Sequence, residues 1–226
     1  MSVLLVSGTD TGVGKTVVTA ALAAAARARG ERVAVVKPAQ TGVAEGEAGD
    51  LDEIGRLSGV ADLHELARYG PALAPAAAAR AKGRPALSAE TIAEAVAAIA
   101  NDGRDRVLVE GAGGLLVRFD EHGATLADVA RLLGAPVLVV VRAGLGSLNH
   151  AALTCEALRS RGVACAGLAI GAWPQQPDAA ERSNLDDFET YSGARLRGRV
   201  PAGAPRLAPA TFAQQAPTWI STEGAT

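Results

Sequence analysis

Six short apolar runs, largely β-branched, punctuate the chain: VLLVS from Val3, VAVVK from Val33, RVLVE from Arg106, PVLVVV from Pro136, GLAIG from Gly167 and RGRV ending at Val200. Within the first five, hydrophobic positions are continuous instead of alternating with polar ones, the pattern of a strand covered on both faces, and RGRV carries the same signal more weakly. Between them apolar positions recur at helical spacing, from Thr16 to Arg29, Ser88 to Ala100, Leu126 to Leu133 and Leu148 to Arg161. Gly30 and Gly162 close the first and last of these, as a residue free to turn left-handed commonly does. Strand and helix alternate, which predicts a three-layer α/β fold: a mainly parallel sheet with helices on both faces, joined by right-handed crossovers. Ligands of such sheets bind outside the carboxyl ends of the strands. The stretch PALAPAAAARAKGRPA from Pro71 reads as loop and helix, and PAGAPRLAP from Pro201 leaves room only for a short packed helix or irregular segment.

Hydrophobic residues fill 49% of the 226 positions and aromatics only 3%, so the core must be built from small aliphatic side chains, which suits helices packed closely on a sheet. No shift in composition divides the chain, and a single domain over residues 1–226 is expected. The formal net charge is −2 with acids and bases interspersed, which gives no long-range field for nucleic acid or an anionic membrane. Cys155 and Cys165 are too few for a disulfide framework and lack metal-ligand spacing, and with the first strand beginning almost at Met1 no signal peptide is expected. The longest apolar run is strand-sized, so no membrane span is expected and the cytoplasm is the expected compartment.

Between the first predicted strand and the first predicted helix stands GTDTGVGKT, residues 8 to 16. Five residues separate Gly8 from Gly14, one more than the common phosphate-loop spelling. Main-chain N–H groups of Gly12, Val13, Gly14, Lys15 and Thr16 can point at phosphate oxygens, with Val17 continuing the helix and the helix dipole reinforcing the pull. Lys15 reaches the terminal phosphates and Thr16 offers a hydroxyl to Mg²⁺. The plain alternative is a glycine-rich turn with a capping threonine; the strand before, the helix after and the Gly-Lys-Thr ending outweigh it. Such a loop names a nucleotide and not a reaction.

The reaction must come from the ends of other strands. VVKPAQTG brings Lys37 to the same sheet edge, with Thr41 a few residues on, and VEGAGG brings Glu110. Glu110 beside the terminal phosphates would complete Mg²⁺ coordination with Thr16, and Asp50 in the acidic loop EGEAGDLDE is a further candidate ligand. Each has an ordinary alternative: Lys37 a solvated strand end, Asp50 a helix N-cap before LDEIGRL, Glu110 a partner for some lysine. Convergence on one edge weakens all three alternatives.

With these motifs the chain resembles the dethiobiotin synthetase family, whose phosphate loop also reads G-T-x-T-x-V-G-K-T with the extra residue. The resemblance runs through VVKPAQTG, the acidic loop, VEGAGG and AGLGSLNHAALT, from Ser2 to about Gly171. It implies 7,8-diaminopelargonate, CO₂ or bicarbonate and a nucleoside triphosphate as substrates, Mg²⁺ as cofactor, and ring closure through a carbamate and a carbamic-phosphoric anhydride. Two anions must then be held together while they react, which requires converging cations. On this basis Lys37 serves the carbamate and the transferring phosphoryl group and Lys15 the nucleotide phosphates, with Gly111, Ala112 and Gly113 of VEGAGG beside them. Thr11 and Thr41 orient the substrate. The segment Gly144, Leu145, Gly146, Ser147 and Asn149 opens a helix whose free N–H groups would take the far carboxylate, reaching across a homodimer interface as the family implies; a capped helix start is the plain alternative. His150, a lone histidine inside that helix, is read as structural.

The chain also departs from the family. Members commonly carry an Asn-Asn pair after the fifth strand that reads adenine, and here the segment is AIGAWPQQP. Looser base selection is therefore expected, with ATP or another nucleoside triphosphate such as CTP contacted by main-chain groups of Gly171, Ala172, Pro201, Ala202 and Gly203. Trp173 is as readily a packing residue as a base-stacking one. Where members often have Pro-His, this chain has Pro75-Ala76. The competing reading is a nucleotide switch of the partition and positioning type. Its loops usually carry an extra lysine near their start, where this chain has Gly8-Thr9-Asp10-Thr11, and neither a basic run nor a terminal amphipathic helix accompanies it. A cobalamin-type amide ligase would need a glutamine-hydrolysing domain, for which the chain has no room.

Overall fold

The computed structural model describes residues 2–221. In chain order the elements are β1 (Ser2–Gly8), α1 (Lys15–Ala28), β2 (Val33–Lys37), β3 (Gln40–Thr41), α2 (Asp50–Ser58), β4 (Leu63–Glu65), β5 (Arg68–Tyr69), α3 (Pro75–Ala81) and α4 (Ala89–Asn101). There follow β6 (Arg106–Gly114), α5 (Leu126–Leu133), β7 (Val137–Val141), α6 (Ser147–Ser160), β8 (Cys165–Trp173), α7 (Ala179–Ser192), β9 (Leu196–Pro201) and α8 (Pro209–Gln215). Seven strands form one sheet in the order β4-β2-β6-β1-β7-β8-β9, every pair parallel, and β3 and β5 form a separate parallel pair.

Alternate residues of each continuous apolar run serve two different cores, since successive side chains of a strand point to opposite faces. Leu4, Val6, Val35, Leu108 and Val140 pack with Ala20 and Ala24 of α1, Ile54 and Leu57 of α2, and Phe212 of α8. Leu5, Val36, Val109 and Val139 pack with Ile92 and Val96 of α4, Val129 of α5, and Ala151 and Leu158 of α6. This is the predicted three-layer arrangement.

The same alternation positions the chemistry. Lys37 follows Val33 and Val35, and Glu110 follows Leu108, so both lie on the face covered by α1 and α2. The register pairs Val6 with Glu110 and Val36 with Val109, which sets Lys37, Glu110 and the end of β1 side by side.

Five elements escape the hydrophobic pattern. Strands β3, β4 and β5 are two or three residues long and mostly half-buried. Helix α2 is visible in the sequence only as the stretch after an expected cap, and the N-cap is Gly49, with Asp50 the first helical residue. Helix α7 is the clearest miss: its buried stripe is Asn184, Phe188 and Ser192, at helical spacing but two-thirds polar. The expected short C-terminal helix is α8, whose Phe212 is fully buried and meets Trp219 edge-to-face at 5.1 Å. Cys155 and Cys165 are free thiols whose sulfurs lie 3.9 Å apart between α6 and β8.

Candidate active site

The phosphate loop spans from the last residue of β1 to the first of α1. Gly12 and Gly14 hold φ of 69° and 97°, a left-handed conformation that side chains disfavour. A Cβ on Gly14 would stand 2.8 Å from the Gly171 carbonyl oxygen, and one on Gly171 would overlap the Val13 carbonyl, so loop and β8 touch backbone to backbone. The N-cap of α1 is Gly14, with no side-chain cap bond, which leaves the first-turn N–H groups for a ligand. Lys15 is buried and donates from Nζ to the Asp10 carbonyl at 3.1 Å. Burial, and then the neighbouring Lys37, hold its pKa below the ordinary lysine value.

Beside the loop lies a charge cluster. Lys37 is 2% exposed and Glu110 0%. Lys37 Nζ donates to Glu110 Oε1 at 2.8 Å, to Asp50 Oδ2 at 2.5 Å and to the Gly111 carbonyl at 3.2 Å. Thr16 Oγ1 donates to the same Glu110 oxygen at 3.2 Å. Burial opposes the Lys37 charge, but Glu110 and Asp50 outweigh it and raise its pKa. Burial likewise pushes Asp50 up, and Lys37 overrides it and holds the carboxyl below the usual aspartate value. Glu110 Oε2 is buried without a hydrogen-bond partner among the described residues, a costly arrangement for a carboxylate oxygen.

The cluster opens into a cavity of about 690 Å³. Of the residues expected at the site, Thr11, Gly12, Gly14, Lys15, Thr16, Val17, Lys37, Thr41, Asp50, Glu110, Ala112 and Gly113 line it. Sequence reasoning missed most of its apolar wall, where Val43, Leu73 and Val117 join Pro75. It also missed Gln40, whose buried amide oxygen accepts from the Asp50 N–H at 2.9 Å and fixes the start of α2 against Lys37. No motif signals a buried amide, whereas the position of Gln40 one residue before Thr41 in VVKPAQTG places it at the right edge.

The model of the AAA domain family matches residues 2–209. A protein of Rhodococcus jostii, described as ATP-dependent dethiobiotin synthetase BioD, is 59% identical over 97% of this chain and 95% of its own length. The protein of the same description from Streptomyces coelicolor is 58% identical over 98% of this chain and 92% of its own. The chain belongs to the dethiobiotin synthetase family. Solved structures add the fold alone: the MinC:MinD cell division complex of Aquifex aeolicus superposes with a TM-score of 0.59 at 17% identity, covering 96% of this chain and 86% of that one. A ParA family ATPase of Chlorobium tepidum gives 0.58 at 15% identity, covering 93% of this chain and 90% of that one. These two structures thus share the architecture of this dethiobiotin synthetase relative, and the near full-length sequence likeness lies with the synthetases.

Three groups of expected site residues lie outside the cavity lining. Val13 is buried beneath the loop, and the Gly111 carbonyl is engaged by Lys37. Gly171 abuts the loop, and beyond it Ala172, Pro201, Ala202 and Gly203 follow the same edge, with the Ala202 N–H bonded to the Trp173 carbonyl at 2.8 Å. Trp173 packs on Arg199, whose guanidinium carbon sits 4.8 Å from the ring centre, so that face of the indole is already covered. Gly144, Leu145, Gly146, Ser147 and Asn149 stand at the start of α6 and are not among the residues that line this chain's own cavity. Leu145 is 93% exposed, while the Ser147 hydroxyl is turned inward and accepts from Asn184 Nδ2 at 3.2 Å.

Proposed function

We propose that the cavity carries out the ligase reaction of dethiobiotin synthetase, a step of biotin biosynthesis, on 7,8-diaminopelargonate. One amine takes up CO₂ as a carbamate. A carbamate oxygen attacks the γ-phosphorus of the nucleotide, whose diphosphate leaves, giving a carbamic-phosphoric anhydride. The second amine attacks the carbonyl carbon, loses a proton and expels phosphate, closing the cyclic urea. The observation that carries this reading is the juxtaposition of a phosphate loop with Lys37 and two carboxylates at one cavity mouth.

Lys15 neutralises the nucleotide phosphates, and Lys37 offsets the repulsion between carbamate and γ-phosphate. Glu110 and Asp50 hold Lys37 charged and aimed. Thr11 and Thr41 orient the diamine, whose aliphatic chain runs along Leu73, Pro75 and Val117. Thr16, Asp50 and Glu110 suit Mg²⁺: a hydroxyl and two carboxylates are hard oxygen donors, and the unpartnered Glu110 Oε2 is a ready ligand. When bound, the ion neutralises charge on the phosphates during transfer.

ATP is the co-substrate named for the relatives. The absence of an amide side chain at Gly171 and Ala172 supports looser base selection, with CTP among the accepted nucleotides. The exposed Leu145 and its loop support a homodimer in which residues 144–149 serve the cavity of a second copy. No helix among the described residues is long and apolar enough to cross a membrane, and we place the enzyme in the cytoplasm.

Phosphate release by purified protein tests the reading, with Mg²⁺, nucleotide, diaminopelargonate and bicarbonate omitted in turn. Dependence on all four is expected, with CTP or GTP supporting turnover beside ATP. Release that ignores the diamine would favour a nucleotide switch, and strict ATP dependence would refute the base argument alone.

A further inference from the structure

The extra residue of the phosphate loop falls in a stretch that packing does not hold, since Asp10, Thr11 and Gly12 are all exposed. The start of the loop is pinned by the Thr9 N–H donating to the Val140 carbonyl of β7 at 3.0 Å. Beyond that point side chains take over. Asp10 Oδ1 accepts from the Thr11 N–H at 2.7 Å, and Arg142 Nη2 donates to the Thr11 carbonyl at 3.0 Å and to Asp10 Oδ2 at 3.3 Å. Both main-chain polar groups at Thr11 are therefore fixed by side chains, one of them from a neighbouring strand end. The result is visible at the hydroxyl: Thr11 Oγ1 lies 3.6 Å from where a Cβ of Gly113 would be, so the side chain faces the end of β6 and lines the cavity.

We infer that Arg142 is a positioning residue for the diamine, gripping the lengthened loop from the end of β7 and thereby holding the Thr11 hydroxyl in the cavity. The inference rests on the reading of Thr11 as a substrate contact. The ion pair with Asp10 is exposed on both sides and alone contributes little. What matters is the bond to a main-chain carbonyl, because it sets the direction of the hydroxyl that the diamine meets on binding. Arg142 stands two residues before Gly144, so the same side chain joins the phosphate loop to the segment that opens α6.

The test is steady-state kinetics of R142A, R142K and D10N beside the wild type, with thermal melting to establish folding. R142A should raise KM for diaminopelargonate about tenfold while kcat and the nucleotide KM move by about twofold or less, the scale of one charge-assisted hydrogen bond. R142K, a point charge without the guanidinium fork, should recover part of the loss, and D10N should shift the same parameter in the same direction. A diamine KM within about twofold of wild type, or an equal fall in every parameter, would overturn the inference. Crystal structures of wild type and R142A provide a readout independent of substrate identity: Thr11 Oγ1 still against Gly113 in the variant would refute the positioning role even if the diamine reading failed on its own.

Discussion

Lys37 is buried between two carboxylates at the mouth of the phosphate loop, and in the proposed reaction it is the residue on which the chemistry turns. Lys37→Ala should lower kcat by roughly 10³-fold, the scale of losing one preorganised electrostatic stabiliser. It also strips the buried Glu110 carboxylate of its cation, so unfolding should show a stability loss of about 3 kcal/mol, relieved when Glu110→Gln is added. The pH dependence follows from the direction of each shift. Asp50 has a folded pKa below its ordinary 3.8, so its contribution is present above that value and is lost as pH falls through the folded pKa. Lys37 has a folded pKa above its ordinary 10.5, so its contribution is present below that value and is lost as pH rises through the folded pKa. The stability difference between wild type and Asp50→Asn, followed by denaturant melts, should therefore hold steady through neutrality and shrink only in strong acid. Lys15 shifts the other way, so kcat/KM for the nucleotide should fall on the alkaline side before the ordinary lysine value of 10.5 is reached.

At the scale of elements, legibility followed the kind of burial. Strands buried on both faces announce themselves as continuous apolar runs, and β1, β2, β6, β7 and β8 were all readable from them. Short β3, β4 and β5 carry too few residues for any period, and α7 buries Asn184 and Ser192 where a hydrophobic pattern would need aliphatics. Asn184 is buried for its hydrogen bonds, since its Nδ2 donates to the carbonyls of Ala143 at 2.7 Å and Gly144 at 3.0 Å and so holds the loop before α6. The site showed the same division. Motif residues on strand ends and the loop were legible, whereas Gln40 and Arg142 act through main-chain contacts that depend on which strands become neighbours. The C-terminal helix α8 packs on the α1 face through Phe212. Phe212→Ala should cost about 3–5 kcal/mol in equilibrium unfolding, since a ring packed edge-to-face against Trp219 leaves a cavity when removed. A loss under about 1 kcal/mol would show that the segment contributes little to the core.

At the scale of the whole molecule, a single parallel sheet carries the nucleotide loop on central β1 and delivers cations and carboxylates from β2, β6 and α2 to one edge. The segment at the start of α6 is not among the residues that line this chain's cavity, and its Leu145 is exposed, which is the basis for proposing that it serves a second copy. Sedimentation should give twice the chain mass of 22.8 kDa, and Leu145→Asp should weaken the dimer while raising KM for the diamine. A monomeric wild type with full activity would refute the shared site. The whole arrangement serves one event, in which the anion that accepts the phosphoryl group is the carbamate and not water. Turnover with freshly added C¹⁸O₂ and unlabelled nucleotide, read by mass spectrometry of the released phosphate, tests it most directly. One ¹⁸O carried from the carbamate into each phosphate is the predicted result, and phosphate bearing only solvent and nucleotide oxygens would contradict it.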